Sequence, residues 1–253
     1  MKNLYIKLID IISSIIFPKP KIIGEDKLNT EEPAIYVCNH ATALGPAYTT
    51  KYLKVNHRPW IIGYALDKEK APNYIFHDFL HAKGKKCKWF YKILSHIIAF
   101  LLVPILKSYR GIPVYHDQRM MSTYRESLKS LESNENLVIF PESPKKYSKY
   151  VFEFQNGFVD VARLYYKNTG KELKFVPIYI YPKTMIIGDA LQYDHTKDFK
   201  EQRKELAHNL TVTVDELAKS VPNHKNLPFL TQDWFDKYGE YVDNMSNYWK
   251  QFE

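Results

Sequence analysis

The sequence predicts an α/β protein in which helices flank a central, mostly parallel sheet. Short runs rich in β-branched and aromatic residues alternate with helical segments along most of the chain, and this alternation is typical of the class. The 253 residues, of which 45% are hydrophobic, suffice for one large domain with small additions. Scattered glycines and prolines and the lack of an internal repeat exclude low-complexity chains, solenoids and propellers.

The individual elements follow from hydrophobic periodicity. Apolar runs predict strands at 34–38, 60–65, 112–115, 137–140, 175–181 and 185–187. Apolar residues at helical spacing predict helices at 121–131, 158–165, 199–217 and 234–252. A further helix is expected to begin near Ala41, directly after the first strand.

Three segments are predicted along the chain. Residues 1–20 form an amphipathic, membrane-associating helix, residues 21–222 the α/β domain, and residues 223–253 a C-terminal helical extension packed on that domain. Two interpretations of the first helix, which ends at Pro18, are open: it packs on the core of its own domain, or it lies in the interface of a bilayer. Because Asp10 interrupts the apolar run, a secretory signal peptide is not expected.

The charge of the chain favours an anionic partner. Thirty-six lysine and arginine residues against 28 aspartate and glutamate residues give a formal charge of +8. Such a charge suits nucleic acid, anionic lipid or a phosphorylated substrate. No nucleic-acid recognition motif accompanies the charge, so we expect no nucleic-acid partner. The sequence indicates no particular oligomeric state.

Metals and cofactors are not expected. Two cysteines, Cys38 and Cys87, are too few for a disulfide framework and favour a reducing cytoplasm. The nine histidines show no metal-ligand spacing, which argues against a metal ion. The sequence contains no glycine-rich phosphate loop of the P-loop or dinucleotide type, and this excludes NTPases and nicotinamide enzymes.

A lysine-rich stretch leads directly into an apolar segment at 93–106. Aromatic residues, which prefer the headgroup region, lie at the junction. Fourteen residues of helix span roughly 21 Å, short of the ~30 Å hydrocarbon core, so a spanning helix is not expected. Two interpretations are open: the segment enters one leaflet, or it is a buried helix beside a solvated loop. The first predicts a peripheral or monotopic protein on the cytoplasmic face of a membrane. The lysines are Lys83, Lys85, Lys86, Lys88 and Lys92.

Two polar side chains directly follow predicted strands. His40 comes after the strand at 34–38, and Glu142 comes after the strand at 137–140. In open α/β sheets ligands bind beyond the carboxyl ends of the strands, where side chains are held by a rigid frame and stay accessible. A histidine and a glutamate at two strand ends can share one cleft.

Four short blocks occur in an order that resembles a known family. They are Asn39-His40, Gly111-Ile112-Pro113-Val114, Phe140-Pro141-Glu142 and Val176-Pro177-Ile178. In this order and in these strand contexts they resemble the glycerolipid acyltransferases of the 1-acylglycerol-3-phosphate acyltransferase type, over roughly residues 30–190. Gly157 and the turn Ile187-Gly188-Asp189-Ala190 are similar to the family's later glycine and turn. The resemblance implies a glycerol-3-phosphate acyltransferase-like fold.

The resemblance implies transfer of a fatty acyl group from acyl-CoA or acyl-carrier protein to a hydroxyl of a lysophosphatidate-like glycerophospholipid, without a metal. An imidazole can take the hydroxyl proton as the oxygen attacks the thioester carbonyl. The resemblance assigns His40 to that base and makes Glu142 the second catalytic residue. Membrane lipids and an acyl thioester donor are the implied partners. The implied substrate- and phosphate-binding residues are Asn39, Arg110, Gly111, His116, Arg119, Ser143, Lys145, Lys146 and Lys149. A solvated loop is the other interpretation of these lysines.

Three positions depart from the family pattern. The family has a histidine, four residues and an aspartate, but Gly45 stands where the aspartate is expected. His116, which can pair with a phosphate only when protonated, and Lys145 stand where the family has arginines. Three interpretations of Gly45 are open: another group, such as Glu142 or a backbone carbonyl, orients His40; the enzyme works at a reduced rate; or the fold binds lipid without catalysis. The last gives the alternative function, a catalytically inactive lipid-binding protein.

Overall fold

The structure is a computed structural model, and it describes residues 14–28, 31–80, 86–147, 149–224, 227, 230, 232–243 and 245–250. Most of the helix predicted at 1–20 lies outside the described residues, as do Lys83 and Lys85. The predictions for these residues therefore stay predictions.

The described chain alternates between short strands and helices. The strands are β1 (Lys21–Ile23), β2 (Ala34–Cys38), β3 (His57–Ile62), β4 (Ile112–Val114), β5 (Asn136–Ile139), β6 (Glu142–Tyr147), β7 (Phe152–Phe154), β8 (Lys174–Tyr181), β9 (Thr184–Ile187) and β10 (Leu191–Gln192). The α-helices are α1 (Leu44–Tyr52), α2 (Gly63–Leu66), α3 (Ala71–Ile75), α4 (Lys88–Ser108), α5 (Met120–Glu132), α6 (Asp160–Thr169), α7 (Phe199–Lys219), α8 (Gln232–Tyr238) and α9 (Met245–Lys250). Tighter 3₁₀ turns lie at Glu25–Lys27, Gly157–Val159 and Gly239–Tyr241, and a π-helical turn at Phe76–Leu80.

These elements confirm the predicted fold class, a mostly parallel sheet flanked by helices. The chain divides into two units. The first unit comprises residues 1–57 and 127–229, and the second comprises residues 58–126 and 230–253. The three segments expected from the sequence follow other boundaries and stay a prediction.

In the first unit β2 lies between β5 and β8 and runs parallel to both. Ile35 is opposite Leu137 on one side and Phe175 on the other. β9 continues the sheet antiparallel to β8, β1 runs parallel to β9, and β10 pairs with the start of β8. Every residue of β2 is buried, as expected for a central strand of a parallel sheet. The carboxyl ends of β2, β5 and β8 therefore lie at the same edge of the sheet.

One face of this sheet packs against α1. Alternate residues of β2, including Tyr36 and Cys38, belong to a buried cluster with Tyr48 of α1. The Tyr48 hydroxyl accepts a hydrogen bond from the backbone N–H of Lys183, 3.1 Å away in the turn after β8. The helix that follows His40 is thus held on the sheet by apolar burial and by one long-range hydrogen bond.

The second unit is built around a cluster of buried aromatic side chains. β3 and β4 pair in parallel, with Trp60 opposite Ile112. The Tyr248 hydroxyl donates a hydrogen bond to Asp78 in the π-helical turn, and the Tyr238 hydroxyl lies 3.0 Å from Nδ1 of His77. Buried members of the cluster are Tyr64, Ala65, Ala71, Tyr74, Ile75, Ala99, Val103, Trp234, Tyr238 and Tyr248. The C-terminal segment therefore contributes to the core of this unit.

Two predicted elements differ in the structure from what the sequence indicates. The strand predicted at 60–65 ends at Ile62, and Gly63 begins α2. A Cβ at Gly63 would lie 2.2 Å from the ring of Tyr115, so this ring packs directly on the glycine backbone. The single helix predicted at 234–252 is divided into α8, a 3₁₀ turn that begins at Gly239, and α9. Apolar runs do not distinguish strand from helix, and glycine weakens a helix.

We expect the two cysteines to differ sharply in their reaction with a thiol reagent. Cys38 is buried in β2, and burial raises the pKa of its thiol, so that the reactive thiolate is suppressed. Cys87 is exposed. Ellman's reagent should therefore titrate one thiol per chain in the native protein and two in urea. The variant Cys87→Ser should show no native reaction, whereas rapid native reaction of this variant would contradict the burial of Cys38.

Candidate active site

His40 lies at a sharp corner between β2 and α1. Ala41 and Thr42 follow it with φ angles of 44° and 62°, in the left-handed region, and form a turn that delays the start of α1 to Leu44. The backbone N–H of Gly45 donates a hydrogen bond to the carbonyl of His40, at 2.8 Å. The corner is thus closed by its own backbone, and the His40 side chain stays 29% exposed.

Asn39 anchors this corner to the neighbouring strand. Its side-chain Nδ2 donates to the carbonyl of Ile180 at 3.0 Å, and its Oδ1 accepts from the N–H of Ile180 at 2.7 Å. The side chain is buried and extends the pairing of β2 with β8 beyond the end of β2. β8 engages both ends of the amide, and the substrate contact expected of Asn39 stays a prediction. This geometry supports a positioning role.

The carboxylate of Glu142 is buried and contacts both the backbone and the ring of His40. Oε2 accepts a hydrogen bond of 2.6 Å from the backbone N–H of His40 and lies 3.2 Å from Nδ1 of the imidazole. Oε1 accepts a hydrogen bond of 3.1 Å from the backbone N–H of Phe152 in β7. The Glu142 side chain is 3% exposed, so the protein surrounds the carboxylate on nearly all sides. A carboxylate at Nδ1 favours the tautomer that has its proton there, and this places the acceptor lone pair on Nε2.

Gly45 occupies a position that has no space for an aspartate. A Cβ there would lie 2.5 Å from the carbonyl oxygen of Asn39, 2.6 Å from that of His40, and 2.9 Å from the ring of Phe140. These distances are shorter than real Cβ contacts, and two of the three atoms belong to the backbone of the corner itself. The carboxylate that faces His40 therefore comes from β6, not from α1.

Sequence reasoning missed several residues that hold this arrangement. The ring of Phe140 lies 5.0 Å from the imidazole of His40, measured between centroids, and restricts its rotation. The sequence places Glu142 just after the strand at 137–140 but does not predict the hairpin in which Glu142 begins β6 and pairs with β7. Asp215 and Thr211 of α7 accept hydrogen bonds from backbone N–H groups of this hairpin. Phe140 precedes the Pro-Glu pair in the sequence, which is the signal that identifies it, whereas α7 gives no such signal.

The hairpin also contains the predicted phosphate-binding lysines. Ser143 is half-buried in β6. Lys145 and Lys146 belong to β6, and their side chains lie outside the described residues. Lys149 is exposed, and its ammonium lies 5.3 Å from the ring centre of Tyr150. The phosphate-binding role of these residues stays a prediction.

Arg119 and His116 in the second unit already have other partners. The Arg119 guanidinium bonds the carboxylate of Asp117, with 3.0 Å between Nε and Oδ1, and lies 4.1 Å from the ring centre of Tyr115. This pairing lowers the pKa of Asp117 and raises that of Arg119. The ring of His116 stacks on Trp249 at 4.5 Å, and burial lowers the pKa of His116 to about 4. Phosphate binding by His116 needs the protonated imidazole, which this burial disfavours, and the role stays a prediction.

Gly111 and Arg110 precede β4 in the same unit. A Cβ at Gly111 would lie 2.4 Å from Cδ1 of Ile61, so the glycine permits close packing on β3. Arg110 has a φ of 56°, and its carbonyl accepts a hydrogen bond of 2.7 Å from Nε of Arg58. These contacts give both residues a structural role, and their substrate-binding role stays a prediction.

One group of side chains in the described part of the chain has ligand atoms close enough to share a metal ion. It consists of Glu172, Asp194 and His195, whose ligand atoms lie within 4.8 Å of one another. Nδ1 of His195 lies 2.8 Å from Oε1 of Glu172, and this hydrogen bond lowers the pKa of Glu172. The imidazole already satisfies the carboxylate, so the group needs no ion. The expected lack of a metal stays a prediction.

An imidazole with a buried carboxylate at Nδ1, exposed at the carboxyl end of a parallel strand, has the arrangement of a general base in a transferase or hydrolase. The family model described as Acyltransferase matches residues 19–185. This match covers more than half of the chain, and the chain therefore belongs to the Acyltransferase family. The family resemblance that the sequence indicates is confirmed.

The fold agrees with this assignment. A similar solved structure is the crystal structure of the 1-acyl-sn-glycerophosphate (LPA) acyltransferase PlsC from Thermotoga maritima, with a TM-score of 0.52 and 13% sequence identity. The similarity covers 88% of this chain and 81% of that chain. At this identity the likeness shows the fold. No curated protein sequence matches this chain.

We expect Gly45→Asp to destabilise the protein and to leave its activity no higher than that of Gly45→Ala. Overpacking against backbone carbonyls costs about 1–3 kcal/mol, which corresponds to a fall of about 5 °C in Tm for a chain of this size. Gly45→Ala is the matched control, since it adds the same Cβ without the carboxylate. Thermal unfolding and an acyl-transfer assay measure both effects. A stable Gly45→Asp protein more active than the wild type would contradict the steric argument.

Proposed function

We propose that this protein is an O-acyltransferase that moves a fatty acyl group from acyl-CoA or acyl-carrier protein to a hydroxyl of a lysophosphatidate-like glycerophospholipid. Membership of the Acyltransferase family supports the reaction class. The observation that supports catalysis in this chain is the contact of 3.2 Å between Nδ1 of His40 and the Glu142 carboxylate. This contact supplies the orienting group that the missing aspartate would otherwise provide.

The proposed reaction uses Nε2 of His40 as the general base. Nε2 takes the proton of the acceptor hydroxyl while the oxygen forms a bond to the thioester carbonyl carbon. The tetrahedral intermediate then collapses, the carbon–sulfur bond breaks, and the imidazolium returns the proton to the leaving thiolate. The charge of Glu142 stabilises the imidazolium between these two steps. These steps yield an ester and a free thiol and use no metal or redox cofactor.

Glu142 acts through His40 and is therefore a positioning residue. Its carboxylate bonds the backbone N–H of His40 as well as facing the ring, so it determines both where the residue lies and how the imidazole is turned. The alternative function, a lipid-binding protein without catalysis, was motivated by Gly45. The Glu142 contact weakens the case for a protein without catalysis, because a carboxylate from another strand orients the imidazole.

We further propose how the acceptor is bound and where the enzyme acts. Lys145, Lys146 and Lys149 are the proposed cationic partners of the acceptor phosphate, because they follow Glu142 on the same hairpin. The proposed partners are membrane lipids and the acyl thioester, with no nucleic acid. Because the acceptor is an amphiphile, we place the enzyme peripherally on the cytoplasmic face of a membrane.

We expect Glu142→Gln to lower kcat between about a hundredfold and ten-thousandfold and to leave KM nearly unchanged. The two backbone N–H groups bond different oxygens of Glu142, so the amide keeps an acceptor for only one of them. The amide also loses the charge that stabilises the imidazolium, and loss of the carboxylate in a serine-protease triad costs about four orders of magnitude. Thiol release from acyl-CoA with lysophosphatidate measures the rate. Glu153→Gln, on the same hairpin, is the matched control and should keep wild-type kcat.

Three further results decide the interpretation of that variant. Circular dichroism should show that Glu142→Gln is folded, and Glu142→Asp should recover part of the rate because it restores the charge at a longer distance. His40→Ala should abolish turnover. Wild-type kcat in Glu142→Gln would rule out the positioning role, and no turnover in the wild type above His40→Ala would favour the inactive lipid-binding protein.

We expect the triple variant Lys145→Ala, Lys146→Ala, Lys149→Ala to raise KM for lysophosphatidate about tenfold or more, since hydrogen bonds to charged groups contribute about 1.5–3 kcal/mol each. KM for a monoacylglycerol, which has no phosphate, should not change. Lys200→Ala, an exposed lysine at the start of α7, is the control. An equal rise in KM for both acceptors would contradict phosphate recognition by these lysines.

A further inference from the structure

The helix α4 exposes an unusual amount of apolar surface. By length and composition it is the one helix among the described residues that is able to cross a membrane, yet only 17% of its most apolar stretch is buried. Trp89 is 69% exposed and Phe100 is 79% exposed. Large exposed side chains of α4 are Trp89, Phe90, Ile93, Ile97, Phe100 and Leu101, here called the apolar stripe. Soluble surfaces rarely expose so many adjacent apolar groups.

The apolar stripe lies on one side of the helix. Trp89, Ile93, Ile97 and Phe100 follow one another at intervals of four, four and three residues, the spacing of a single helical face. Ser95, Ala99 and Val103, on another side, are buried, and the last two belong to the aromatic core of the second unit. Within the described part of the chain, α4 therefore has one face packed on protein and one face that is exposed.

This division argues against a spanning orientation. Twenty-one residues of helix extend about 32 Å, which matches a hydrocarbon core of ~30 Å. A spanning α4 would, however, bring the protein attached to Ala99 and Val103 into the centre of the bilayer. An orientation in the plane of the membrane buries the apolar stripe and leaves the packed face in water.

The charges around α4 identify the kind of membrane. The 21 residues of α4 contain no aspartate or glutamate. Lys86, Lys88 and Lys92 are exposed at the amino end of the helix, and Lys107 is exposed at the other end. Each lysine near an anionic leaflet adds about 1 kcal/mol of attraction, and tryptophan beside them prefers the headgroup depth.

We propose that α4 docks the protein on an anionic membrane, lying in the plane of one leaflet with the apolar stripe in the acyl region and the lysines among the headgroups. The proposal deepens the membrane placement of the proposed function, because it names the surface that binds lipid, and it stands on the helix alone, whatever the acceptor is. It commits to lipid as the occupant of the stripe, since a second copy of the chain would bring the same positive charges together.

Vesicle sedimentation with the full chain tests the proposal. The wild type should bind vesicles of phosphatidylcholine with phosphatidylglycerol, and Ile97→Glu/Phe100→Glu should weaken partition on the order of a hundredfold, because two large apolar side chains lose their burial. Met121→Glu is the matched control: Met121 is 54% exposed on α5 of the same unit but lies outside the stripe. This control should bind like the wild type.

A lysine variant tests the charge selectivity. Lys88→Gln/Lys92→Gln should bind the anionic vesicles about thirtyfold more weakly and should bind pure phosphatidylcholine vesicles like the wild type. Equal losses on both kinds of vesicle would overturn the assignment to an anionic leaflet.

Two outcomes would overturn docking by the stripe. The first is unchanged vesicle binding by Ile97→Glu/Phe100→Glu. The second is a dimer that analytical ultracentrifugation detects for the wild type without lipid but not for this variant. The apolar stripe would then be a protein interface. An assay with a water-soluble short-chain thioester and a water-soluble acceptor separates docking from catalysis. Ile97→Glu/Phe100→Glu should turn these substrates over like the wild type. Absence of this turnover in the wild type would count against the proposed function alone.

Discussion

The site depends on one buried carboxylate that is hydrogen-bonded to the backbone of His40. Glu142 accepts hydrogen bonds from the N–H groups of His40 and Phe152 and faces the imidazole at 3.2 Å. Removing the partners of a buried ionic group costs several kcal/mol, so these bonds stabilise the fold of the corner. The same carboxylate therefore connects the hairpin to the end of β2 and orients the imidazole of His40.

Backbone geometry explains how a glycine can stand where the family has an aspartate. The corner after β2 is so tight that carbonyl oxygens of Asn39 and His40 occupy the space a side chain at Gly45 would need. A carboxylate from β6 reaches the imidazole instead, because β2 and β5 are parallel neighbours and the chain turns directly from β5 into β6. A glycine at this position is therefore compatible with a carboxylate beside the imidazole, because the end of a neighbouring strand supplies the group.

Several parts of the structure were accessible from local patterns. The strand at 34–38 was predicted with its observed boundaries, because a continuous apolar run before a polar corner has few other interpretations. The strand at 60–65 and the helix at 234–252 were placed less well, since packing of Tyr115 on Gly63 and the break at Gly239 are not properties of hydrophobic periodicity. The burial of His116 was not accessible either, because its stacking on Trp249 joins residues distant in the sequence.

The sequence by itself determined the fold class, the family and the order of the polar residues at the strand ends, because these follow from local hydrophobic pattern and short motifs. Only the tertiary structure decided which carboxylate faces His40, that Asn39 binds β8, and which face of α4 stays uncovered. Each of these is a distance between segments far apart in the chain. Such distances depend on how strands pair and helices pack, and no single segment of the sequence contains them.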